Sequence, residues 1–167
     1  PASLDHEVYL PATFTVPGTA ATIDKTPSKD AKVDGYTFKL DTGETSLSAG
    51  QDQSLVVSVS DAKGEPVRNL EPIMMAYAHA VAFNESASEV AHLHPVGAEP
   101  KNETDRGGAD LEFHANFPTG GFKKIFVQVK IGGKTITAPF AIEVKGDDLQ
   151  GKREVSTEEQ KREILAY

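Results

Sequence analysis

The stretch from Met74 to Pro95 reads MMAYAHAVAFNESASEVAHLHP, and its folding decides what the rest of the chain can be. Met75, Tyr77, His79, Val81 and Phe83 alternate with Met74, Ala76, Ala78, Ala80 and Ala82. The alanines would also suit a helix. The period of two, bracketed by Pro72 and by Asn84-Glu85-Ser86, instead predicts a strand over about residues 73 to 83. Both faces of that strand are weakly polar, which predicts cover on both sides. The large residues are expected to meet an opposing sheet, and the alanines to admit another segment at close range.

A second strand is expected from Glu89 to His94, closed by Pro95. Pairing Phe83 with Val90 sets Val81 opposite His92 and His79 opposite His94, so three of the five histidines share one face. A one-residue slip would separate them, because side chains alternate faces along a strand. On that register His79, His92 and His94 are candidate ligands for a transition metal, copper or zinc. Neutral imidazoles bind such ions at about 2.0 to 2.1 Å, with a further ligand or water completing the shell. Met75 falls on the same expected face, and a thioether is a soft ligand suited to Cu(I). The competing reading makes all three histidines half-buried structural residues bonded to backbone carbonyls. Tyr77 and Gln128 are candidates for supporting contacts. Glu99, Glu103 and Asp105 are loop carboxylates near the HLHP run, and His6 and His114 read as surface residues.

Outward from this hairpin the pattern is short alternating segments separated by turns, the signature of an all-β sandwich or barrel. Tyr36, Phe38 and Leu40 share one face of the first segment, and QSLVVSVSD follows. Asp61 to Gly64 forms a turn, and Glu65 starts a connection that Pro72 ends. After a Pro, Gly and charge-rich loop over residues 95–109, ADLEFHANFP directs Leu111, Phe113, Ala115 and Phe117 inward. FKKIFVQVK and KTITAPFAIEVK are joined at Gly132-Gly133, a two-residue hairpin signal. These segments predict a seven-stranded sandwich over residues 35–146. Residues 1–34 read as an extended arm, EVYLPATFTV, and a linker. Residues 147–167 read as a tail whose Ser156-Thr-Glu-Glu159 capping box opens a short helix.

Seventeen basic residues against twenty-five acidic ones give a net charge of -8, with no basic cluster. That removes the physical support for nucleic-acid binding, which rests on grouped Lys and Arg. The absence of cysteine excludes thiolate zinc sites, cysteine nucleophiles and blue-copper ligation. No apolar run approaches the roughly 20 residues of a membrane span, so no transmembrane segment is expected. The chain begins at Pro1 without a signal region, which is expected if a signal or anchor has been removed. No nucleophile elbow, phosphate loop or HExxH pattern is present. Two glycosylation sequons, Asn84-Glu-Ser86 and Asn102-Glu-Thr104, are common by chance.

The segments GEPVRNLEP, AHAVAFNESASEVAHLHP and FPTGGFKKIFVQVKIGGKTITAPFAIEV resemble bacterial exported β-sandwich proteins of the YtkA-like neighbourhood, near the cupredoxin-like and immunoglobulin-like domains. In that group a histidine precedes an H-x-H-P motif, matched here by His79, His92, His94 and Pro95. Phe122 stands where the group has a tyrosine. The resemblance implies an Ig-like or cupredoxin-like fold, a secreted, periplasmic or cell-surface location, and the handling of copper or another heavy metal with other exported proteins. The expected activity is that of a metal-binding module, not an enzyme. Two rivals are an adhesion or carbohydrate-binding domain with structural histidines, and a metal-dependent hydrolase or oxidase using the same ligands.

Overall fold

The computed structural model describes residues 17–18, 22–43 and 46–146. Among them are eight strands: β1 (Asp30–Val33), β2 (Tyr36–Asp41), β3 (Asp52–Ser60), β4 (Ala78–Asn84), β5 (Val90–Val96), β6 (Asp110–Asn116), β7 (Gly121–Ile131) and β8 (Lys134–Val144). The arm EVYLPATFTV, His6 and the expected terminal helix lie outside the described residues. Among the described residues no helix is long and apolar enough to cross a membrane.

All pairings between strands are antiparallel, in the order β1-β2-β3-β6-β5-β4-β7-β8. Ser28 bridges Ala141 on the far side of β8, exchanging both backbone hydrogen bonds at 2.8 and 2.9 Å. This nearly closes the sheet into a barrel and covers an edge that would otherwise be open to another chain. The eighth strand is β1, which falls in the expected linker. Asp34-Gly35 takes left-handed backbone, φ 52° and 83°, and folds Ala31 back into the core opposite Phe38. A four-residue strand before such a turn is too short to show its own period.

The core takes the inward-facing residues of both halves of the barrel. Phe38, Leu55, Val57, Phe113 and Phe117 come from the β1-β2-β3-β6 side, and Ile125, Val127, Val129 and Phe140 from β7 and β8. Beside them stand Ala78, Ala80 and Ala82 of β4, each almost wholly buried. The alanine face of β4 is thus the core face, and the large residues His79, Val81 and Phe83 lie half-exposed on the outside. This reverses the expected orientation. Small residues suffice on β4 because the phenylalanines of the same core cluster fill the space between layers, which are about 10 Å apart.

β4 also begins later than expected. Ile73 and Ala76 exchange backbone hydrogen bonds at 2.8 and 3.1 Å around a two-residue turn, with Met74 and Met75 at φ 46° and 66°. Both side chains are strongly exposed, at 68% and 80%. Met75 therefore stands on a turn tip, off the strand face that carries His79. Tyr77 packs inward against the core, where a Cβ on Gly107 would lie 2.5 Å from its ring. Glycine is the residue that fits there.

Candidate functional site

Phe83 pairs with Val90, Ala82 with Ala91, Val81 with His92 and Ala80 with Leu93. This is the register that brings His79, His92 and His94 to the outer face. His79 and His92 lie half-buried there, and His94 is exposed. The His92 and His94 ring centres are 4.9 Å apart, and the His79 ring stacks on His92 at 6.4 Å with 24° between the planes. Two imidazoles bound to one ion at about 2.1 Å have ring centres roughly 5 to 6 Å apart, so the His92–His94 spacing suits a shared ion. The His79–His92 spacing, 6.4 Å, exceeds that range. Among the described residues no group of three His, Cys, Asp or Glu side chains is already gathered closely enough to hold an ion.

The ladder between β4 and β5 ends at Ala80 and Leu93. Beyond it β5 leaves β4 and joins β6, with His94 opposite His114, Pro95 opposite Phe113 and Val96 opposite Glu112. Pro95 thus does not close the strand. It sits where β5 changes partner, and its missing N–H costs little at such a break in the ladder. Because of this change, His94 faces His114 and not His79. His79 is instead held by a 2.9 Å hydrogen bond between its Nε2 and the Ile73 carbonyl, which ties it to the base of the methionine turn. Gln128, its partner on β7, stands beside it and bonds weakly to Thr137 at 3.4 Å.

His114 points outward on β6, with Nε2 3.5 Å from Oδ1 of Asp52. Asn116 donates to that same oxygen at 2.8 Å, fixing the carboxylate in place. The alternation in ADLEFHANFP already puts His114 outside. What was missing from the sequence was the strand it would lie beside.

The loop carboxylates do not join this face. Asp105 Oδ2 accepts the N–H groups of Lys101 and Asn102 and closes its own loop. Glu99 lines a groove of about 380 Å³ that also includes Met75, Tyr77, Val96 and Arg106. The side chain of Asn84 in the first sequon is engaged, accepting from the Glu89 N–H and donating to Ser88.

Sequence reasoning passed over Lys123. Its side chain is 1% exposed and donates to Glu89 Oε1 at 2.5 Å and to Thr119 Oγ1 at 2.8 Å, while Thr119 donates to Glu89 Oε2 at 2.6 Å. The signal was its inward parity with Ile125, Val127 and Val129. Every buried side-chain nitrogen and oxygen among the described residues has a partner.

A model of a domain of unknown function, DUF8832, matches residues 31–146, more than half of the chain. The chain belongs to the DUF8832 family. No curated protein matches it significantly. A similar solved structure is that of a DUF4426 family protein from Pseudomonas aeruginosa PAO1. It is 13% identical, with a TM-score of 0.47, over 71% of this chain and 98% of that one. The DUF8832 match contains all eight strands except the first residue of β1, and it spans His79, His92, His94 and His114.

Proposed function

We propose that this DUF8832 protein is a transition-metal-binding module, for copper or zinc, that uses the outward histidine face carrying His79, His92 and His94. The observation that carries the reading is the register of Phe83 on Val90, which puts these imidazoles on one face with His92 and His94 at 4.9 Å. Imidazole is a ligand type common to zinc and copper. His79 fits a recurrent pattern of metal-binding histidines, in which one ring nitrogen donates to a backbone carbonyl and the other keeps its lone pair. The side chains are half-buried or exposed, so an ion can approach them from solvent.

The module is exported and belongs with the Ig-like and cupredoxin-like sandwiches, where it works with other metal-handling proteins. The H…HxHP resemblance supports this. In this reading it acts by binding.

Metal analysis of protein purified without a nickel column tests the reading, beside the variant in which His79, His92 and His94 are all alanine. About one equivalent of bound zinc or copper, lost in the variant, is the expected result. Protein that takes up no metal, or a variant that binds as well as the parent, overturns it.

A further inference from the structure

We propose that the groove where β4 and β5 part is a docking site for an extended, apolar segment of a basic partner protein. The ladder between these two strands stops at Ala80 and Leu93, and β5 then turns to β6. Among the described residues, no strand pairs with β4 before Ala80 on its β5 side, or with β5 after Leu93 on its β4 side. Two strand edges thus flank a gap. Backbone N–H and C=O groups along such edges need water or an added strand as partners. The groove of about 380 Å³ lies at this gap, lined by Tyr77 and Ala78 at the start of β4 and by Pro95 and Val96 of β5. Binding clefts commonly measure about 300 to 1,000 Å³.

The groove's side chains define the chemistry of its occupant. Among the described residues four large apolar side chains are exposed, Ile23, Met74, Met75 and Val96. Met75 and Val96 line the groove, and Met74 shares the turn at its lip. Methionine is flexible enough to fit varied apolar partners. Apolar side chains beside an unpaired strand edge suit strand addition, in which main-chain bonds give affinity and alternate side chains enter pockets. The charges are one-sided. Glu99, Asp110 and Glu112 line the groove with Arg106, whose Nη1 donates to the Glu103 and Asp105 carbonyls. An acidic rim attracts a segment that carries Lys or Arg, and it repels a second copy of this chain, whose net charge is -8. This docking needs no metal.

The test titrates the untagged, metal-free full chain into fluorescein-labelled peptides of four Val-Lys, four Val-Glu or four Gly-Lys repeats, read by fluorescence anisotropy. A fourth peptide is the Val-Lys sequence methylated at alternate backbone nitrogens. The unmethylated Val-Lys peptide is expected to bind at least about 10-fold more tightly than the other three. Val96→Thr, and Met74→Asn combined with Met75→Gly, are each expected to weaken it at least about threefold, and His92→Ala less than about twofold. Thermal melting confirms that each variant is folded. Failure of the Val-Lys peptide to bind, equally tight binding of the Gly-Lys or the methylated peptide, or binding that both groove variants leave unchanged overturns the site. Sedimentation that shows the chain pairing with itself, lost in Val96→Thr, gives the groove to a second copy and overturns the basic partner. None of these outcomes bears on the metal reading, which the histidine variants test separately.

Discussion

His94 is the direct partner of His114 across the β5–β6 ladder, although the β4–β5 register leading up to it points toward His79. The two histidines are held by backbone pairing and not by each other. Loss of either ring from this exposed face should change the stability of the metal-free protein by less than about 0.5 kcal/mol. With zinc at about one hundred times its dissociation constant, the parent should gain about 2.7 kcal/mol and the His94→Ala variant almost none. Melting curves with and without zinc measure the difference, and equal gains would refute it.

The buried pair of Lys123 and Glu89 should be sensitive to one-sided changes. Glu89→Ala leaves a lysine that is 1% exposed without its counter-charge, a loss of about 3 to 5 kcal/mol in urea unfolding. Replacing both residues with apolar side chains of similar volume should be much milder, because it also removes the cost of burying two charges. A single substitution no worse than the double one would contradict this account.

Met74 and Met75 occupy two successive left-handed positions that a side chain makes costly. Changing the pair to Asn-Gly, the sequence that such a two-residue turn favours, should raise stability by about 1 to 2 kcal/mol. Metal affinity should stay unchanged, since Met75 stands off the histidine face. A drop in Cu(I) affinity in a competition assay would restore the thioether as a ligand.

The Glu71 carboxylate is held below the ordinary glutamate range, first by the Gly133 N–H, which donates to it at 2.7 Å, and then by the nearby charges of Lys130 and Arg106. A depressed folded-state value stabilises the fold above the unfolded value, and that contribution disappears as pH falls through the folded one. Glu71→Gln should therefore flatten the acid limb of the stability profile below about pH 4.3. Stability of parent and variant that falls in parallel from pH 5 to 3 would exclude the effect.

The sequence by itself determined the strand character of most of the chain, because period-two alternation and Gly-Gly or Asp-Gly turns are local features. The pairing of Phe83 with Val90 was an expectation among registers that the sequence left open, and the structure has it. Three things were decided only in the tertiary structure. The alanine face of β4 became the core face because the facing half of the barrel brings the phenylalanines, and a strand cannot encode what it will pack against. β1 emerged from an expected linker because Ala31 found a place opposite Phe38. His114 joined the histidine face because β5 leaves β4 after Leu93, and the choice between two partner strands depends on barrel closure, not on the residues of β5 alone.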